Sequence, residues 1–180
     1  MTEVRAKRLQ LEQFTASVMR ALGLPLEDAA TVAALMVDAD MQGSDGHGVI
    51  RLAPYAKRIL AGGINLNPDI KVIQERTAMA LVDGDNGMGH LVMKRAAEIA
   101  IEKAKNCGIA WVGSRFSNHA GPASIYARMP MEKNMIGIYF QTSNFMFLMV
   151  KKIIRCCTSH TFCQGYCSTS MKKTHGLVYS

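Results

Sequence analysis

Residues 78–114, AMALVDGDNGMGHLVMKRAAEIAIEKAKNCGIAWVGS, decide between two kinds of α/β architecture. The segment opens on a short apolar run and passes through a turn rich in glycine and acid. It then carries a helical apolar period in LVMKRAAEIAIEKA, reaches Gly108 as a helix stop, and ends on a second apolar run, GIAWVGS. Strand, helix and strand in that order build an α/β layer. In the commonest such fold the first strand-to-helix turn cradles a dinucleotide through G-x-G-x-x-G. Here Gly84, Gly87 and Gly89 are spaced G-x-x-G-x-G, the reverse of that fingerprint, so the segment reads as a plain strand-to-helix turn.

Working outward, the preceding text is helical. RLQLEQFTASVMRALGL sets Leu9, Leu11, Phe14, Val18, Met19 and Leu22 close to one stripe and ends at Gly23. Pro25 with Glu27 and Asp28 starts a second helix that turns Val32, Leu35, Met36 and Ala39 inward and stops at Gly43. A third helix is expected over residues 50–61, closed by Gly62 and Gly63. After the turn-rich NLNPD come the strand IKVI, the quoted segment, and MIGIYFQTS, which reads as the last strand. The fold class is α/β, with an N-terminal helical segment over residues 1–66 and an α/β layer over residues 67–146.

The chain of 180 residues suits one domain or part of a larger enzyme. Its hydrophobic share of 49% and charged share of 19% fit a soluble protein, and no apolar run approaches the roughly 18 to 20 residues that span a bilayer. MTEVRAKRLQLEQF has no apolar stretch of a signal peptide, so we expect a cytoplasmic protein without a membrane partner. The net charge of +7 invites a nucleic-acid reading, but residues 1–146 hold 16 Lys and Arg against 14 acids. The excess belongs to Lys151, Lys152, Arg155, Lys172 and Lys173, which face no acid, and no nucleic-acid partner is expected.

Cysteine divides at the same place. Cys107 stands alone, whereas Cys156, Cys157, Cys163 and Cys167 fall within twelve residues. Residues 147–180 therefore read as a divergent, basic, cysteine-rich tail to which no fold is assigned, expected to be disordered. With His160 and His175 the tail has enough groups for zinc, but C-C-x5-C-x3-C matches no paired-ligand knuckle, and no metal site is assigned.

Two segments carry candidate chemistry. In GSDGHGVIRLAPY, residues 43–55, His47 lies between glycines ahead of a helix that sets Arg51 and Tyr55 one turn apart on one face. The bland reading is a loop histidine with a surface arginine over an aromatic ring. The functional one uses the guanidinium fork and the phenol to hold a carboxylate near a helix N-terminus, with the imidazole moving a proton. That set suits a small 2-oxo or 2-hydroxy acid. In GSRFSNHAGPASIYA, residues 113–127, His119 follows a strand in a loop of small residues, where α/β proteins usually bind ligands. Its alternative is a histidine bonded to nearby backbone, with Ser117 and Asn118 capping a turn.

Taken with DGDNGMGH and IGIYFQTS, these segments resemble the malate/L-lactate dehydrogenase family, which includes sulfolactate, ureidoglycolate and diketogulonate oxidoreductases, over roughly residues 7–146. The resemblance implies a partial mixed-sheet layer that is not a Rossmann fold, NAD or NADP as cofactor, a small 2-hydroxy or 2-oxo acid as substrate, and a homodimer when the enzyme is intact. The family's S-H-G-V-x-R-x-x-x-Y appears as GHGVIRLAPY: His47, Arg51 and Tyr55 match, Gly46 replaces the serine, and Ser44 is the hydroxyl nearby. S-N-H is intact as Ser117, Asn118 and His119. The implied roles are proton transfer for His47 or His119, substrate binding for Ser44, Arg51 and Tyr55, and cofactor contact for His119 and Ser143. Where the family continues T-N-S, this chain has Gln141, Thr142 and Ser143 and then departs from the pattern.

Family chains are nearly twice this long. Read from the third base of each degenerate codon, Phe147, Leu148, Met149 and Val150 permit Pro, Tyr and Gly, the family's next turn, which points to a frameshift or alternative exon near residues 144–148. The expected protein is the N-terminal part of an oxidoreductase, or a truncated form of one, that lacks part of the cofactor site and is catalytically inactive as it stands. The alternative is a non-catalytic interaction protein whose basic tail binds a partner, metal or nucleic acid.

Overall fold

The computed structural model describes residues 6–141 and 146–152. Two helices come first, α1 (Arg8–Ala21) and α2 (Leu26–Met41). Two single 3-10 turns, Asp45–His47 and Val49–Arg51, then lead into α3 (Leu52–Leu60). The third helix thus starts later than its apolar pattern implies, because the segment ahead of it winds tightly instead of continuing an α-helix. These elements enclose a core of Met19, Leu24, Val32, Met36, Tyr55, Ile59, Ile64 and Met88.

The second layer is a five-stranded mixed sheet in the order β1-β2-β3-β5-β4. Its strands are β1 (Lys71–Glu75), β2 (Met79–Gly87), β3 (Ile109–Ser117), β4 (Met135–Gln141) and β5 (Met146–Lys152). Only β2 and β3 run parallel, joined by the crossover helix α4 (Gly89–Cys107). Period-two alternation turns Ala80 and Val82 of β2 and Ala110 and Val112 of β3 toward α4, which answers with Val92, Met93, Ala96, Ala97, Ala100 and Ala104. Four alanines on that face let the helix lie close on the sheet. The mixed order agrees with the non-Rossmann reading. Helix α5 (Ala123–Arg128) and a 3-10 turn, Met129–Lys133, connect β3 to β4.

One expectation is corrected. MIGIYFQTS is not the last strand, and the chain is not without structure from Phe147 onward. β5 lies between β3 and β4, antiparallel to both, with Leu148 opposite Val112 on one side and Tyr139 on the other. Leu148 is fully buried, and this burial in the middle of the sheet carries the ordered chain beyond the compositional break at residue 146. Residues 153–180, including the four clustered cysteines, lie outside the described residues. Among the described residues, no helix is long and apolar enough to cross a membrane.

The sheet and helical layers meet at the start of α4. A Cβ on Gly89 would sit 2.0 Å from the Asn118 carbonyl oxygen and 2.5 Å from that of His119, both backbone atoms that cannot swing away. Gly89→Ala is therefore expected to cost about 2 kcal/mol or more, whereas Gly46→Ala, whose Cβ would meet nothing within 4 Å, stays within about 0.5 kcal/mol. Chemical denaturation of both variants checks this, and equal stabilities would contradict it.

Candidate functional site

The loop carrying His47 is anchored from α2. Asp40 accepts the Val49 N–H on Oδ2 at 2.9 Å, and Gly48 lies so close that a Cβ there would fall 1.7 Å from Oδ1 of the same carboxylate. The chain can then turn tightly, with the His47 N–H donating to the Ser44 carbonyl at 2.8 Å and the Arg51 N–H to that of Gly48 at 3.0 Å. The Arg51 Nε–H donates back to the Gly46 carbonyl at 2.6 Å, which orients its guanidinium over the loop. Tyr55, one turn further on, is buried.

His119 is positioned from the sheet. Asn118, immediately before it, donates its side-chain amide to the carbonyls of Asn86 at 2.8 Å and Gly87 at 3.0 Å, binding the loop after β3 to the end of β2. The turn whose glycine spacing excluded a dinucleotide loop thus holds the Ser117–Asn118–His119 segment in place. From that position His119 Nδ1 lies 2.6 Å from the Tyr55 Oη, and its ring stacks on His47 with centroids 5.6 Å apart and planes 15° from parallel. A cavity of about 170 Å³ opens beside them, lined by Tyr55, Arg58, Ile64, Met88, Ser117, Asn118 and His119.

Behind the cavity, His90 of α4 is fully buried, its ring edge-on to that of Tyr55 at 5.6 Å and 86°. Neither of its ring nitrogens has a hydrogen-bond partner among the described residues. Burial pushes the His90 imidazole down to about 3, with nearby His119 adding to the effect. Partial desolvation of its ring also lowers His119, which keeps one side open to solvent, and Arg51 and His47 depress it further. Burial raises the Tyr55 phenol, with Arg51 pulling the other way. Near neutral pH the phenol keeps its proton and His90 carries no charge.

The structure brings together His47, Arg51, Tyr55 and His119. Ser44 is half-buried at the start of the His47 turn, where its N–H donates to the Ala39 carbonyl at 2.9 Å. Ser143 lies outside the described residues. Sequence reasoning missed three contributors. Arg58 reaches the cavity from the face of α3 that carries Tyr55, three residues earlier, a spacing that could have revealed it. His90 was hidden inside an apolar helical period, and Asp40 bonds to a backbone amide nine residues away, which no local pattern signals.

A helical layer that delivers an imidazole, a guanidinium and a phenol to a second imidazole just beyond the end of a central strand defines an α/β scaffold with one polar cluster between its layers. The chain belongs to the malate/L-lactate dehydrogenase family, whose model matches residues 7–152, a span that takes in β5. Over 140 residues it is 46% identical to a malate dehydrogenase of Pyrococcus horikoshii, covering 78% of this chain and 39% of that one. The solved structure of malate dehydrogenase from that organism superposes with a TM-score of 0.73 over 76% of this chain and 39% of the other. An L-sulfolactate dehydrogenase of Methanocaldococcus jannaschii is 45% identical over 121 residues, 67% of this chain and 35% of its own. A ureidoglycolate dehydrogenase (NAD(+)) of Escherichia coli is 33% identical over 135 residues, 75% of this chain and 39% of its own. The chain thus spans about two fifths of the length of these relatives.

The buried imidazole makes stability depend on pH. Histidine ordinarily titrates near 6.5, whereas folded His90 titrates at about 3, so between these values the unfolded chain takes up a proton that the folded one refuses. The contribution is complete above the unfolded value and is lost as pH falls toward 3, at up to about 1.4 kcal/mol per pH unit. Urea unfolding at pH 7 and pH 5 should show a clear loss for the native sequence and a smaller one for His90→Phe. Equal losses would contradict this account of His90.

Proposed function

We propose that this chain is the acid-binding part of an oxidoreductase that moves a hydride between NAD or NADP and a small 2-hydroxy or 2-oxo acid such as malate or lactate. The observation that carries the reading is the convergence of Arg51, Tyr55, His47 and His119 from two layers, with Tyr55 and His119 in direct contact. With Nε engaged on the Gly46 carbonyl, the Arg51 guanidinium would offer its Nη edge to a carboxylate in a two-point contact. His119 or His47 would exchange the proton of the substrate hydroxyl, and Ser44 would add a hydrogen bond from the start of the loop.

The described residues fit the acid better than the cofactor. The cavity of about 170 Å³ beside Tyr55 and His119, lined by Arg58 and not by Arg51 or His47, falls below the roughly 300 Å³ at which drug-sized and cofactor pockets begin, and the acid would sit where it opens toward His47 and Arg51. Ser143, which the family resemblance assigns to cofactor contact along with His119, is outside the described residues. NAD or NADP rests on family membership and on the Escherichia coli relative whose name specifies NAD(+). A bound nicotinamide would supply or accept the hydride, while this chain's residues would hold the acid and move the proton. The same reading takes a homodimer as the working assembly and the cytoplasm as its setting.

Titrating the ¹⁵N-labelled chain with L-malate and with L-lactate tests the proposal. Shifts are expected at His47, Arg51 and His119. Arg51→Leu should weaken binding about tenfold or more, equivalent to about 1.4 kcal/mol, with Arg51→Lys in between. No response at these residues, or undiminished binding by Arg51→Leu, would overturn it.

A further inference from the structure

We infer that Tyr55 is the positioning residue for His119: its phenol directs the imidazole proton to Nε2, so that His119 presents an N–H donor, not a lone pair, to a substrate oxygen. The geometry carries this assignment. Nδ1 lies 2.6 Å from the Tyr55 Oη and also 3.3 Å from the Gly121 backbone N–H. A backbone amide can only donate, so that contact marks Nδ1 as an acceptor. The phenol beside it is buried and protonated, and opposite a nitrogen that the amide marks as an acceptor its O–H is the donor of the 2.6 Å contact. With two donors on Nδ1, the one proton of the neutral ring resides on Nε2.

The phenol is itself held in place. Tyr55 belongs to the helical core with Met36, Ile59 and Met88, and the neutral, buried His90 stands edge-on to its ring. The groups that face His119 are Arg51 and His47 from the loop ahead of α3, Tyr55 from α3, His90 from α4, and Arg58 across the cavity. Arg51 and His47 oppose a positive charge on the ring, and the two donors at Nδ1 stabilise its neutral form.

The arrangement inverts the familiar acid–histidine pair, where a carboxylate accepts from one nitrogen and leaves the other as a base. A donor at Nδ1 instead makes Nε2–H the working edge, suited to polarising the carbonyl of a 2-oxo acid. Since the phenol has a single proton and directs it to His119, the carboxylate falls to Arg51, which moves Tyr55 from the substrate-holding role expected from the spacing. The meaning of this device as a polariser of substrate rests on the proposed function, whereas the tautomer does not.

Long-range ¹H–¹⁵N spectra of the full chain labelled at histidine test it without turnover, with His119→Gln used to assign the signal. The native sequence should show neutral His119 as the Nε2–H tautomer, titrating below an ordinary histidine. Tyr55→Phe should yield a tautomer mixture and an upward-shifted titration while leaving the remaining amide spectrum native. An Nδ1–H tautomer in the native chain would overturn the inference whether or not the variant folds, as would a folded Tyr55→Phe with tautomer and titration unchanged. Malate binding to a chain with Nδ1–H would sink this inference alone, and an Nε2–H tautomer without acid binding would sink only the proposed function.

Discussion

The Asn118 amide, seated on the carbonyls of Asn86 and Gly87, is the contact on which the rest of the arrangement depends. It joins the residue after β3 to the end of β2, which are neighbours because those two strands pair in parallel, linked by one crossover helix. Gly89 permits the approach by leaving the start of α4 without a side chain. Loosening this junction would let His119 drift from Tyr55, and a misplacement of about 1 Å at reacting groups is costly. The sheet thereby acts on a site whose arginines, Arg51 and Arg58, come from the helical layer.

Electrostatics at the junction follow from partial dryness. His90 and Tyr55 are buried while His119 stays open to solvent, so burial holds the first two neutral and leaves the third able to meet a ligand. Arg51 lowers both His119 and the phenol and concentrates positive charge where an acid would dock. An anion arriving there would relieve the repulsion that Arg51 exerts on His119. In the proposed function, substrate charge and proton affinity would be coupled through this guanidinium.

Much of this was legible in the sequence. The strand–helix–strand segment gives the α/β class, its reversed glycine spacing agrees with the non-Rossmann fold that the family resemblance implies, and His47, Arg51, Tyr55 and His119 stand out from local pattern. What was missed is non-local. β5 reads as tail because its composition matches the basic text after it, and only pairing on both sides shows that FLMV belongs in the sheet. Asp40 acts within the helical layer through a backbone amide nine residues on, His90 acts across layers through an edge-on ring contact, and neither leaves a mark at fixed spacing. The contact of Tyr55 with His119 spans 64 residues, so local pattern pairs the phenol with Arg51, four residues away, instead.

The most direct test of the account is a crystal structure of the chain with oxalate, a small two-carboxylate mimic of a 2-oxo acid. The account predicts one carboxylate in two-point contact with Arg51 and an oxygen of the other within hydrogen-bond distance of His119 Nε2, the Tyr55–His119 contact being kept. Oxalate bound away from both residues, or a His119 that turns Nδ1 toward it, would contradict the account.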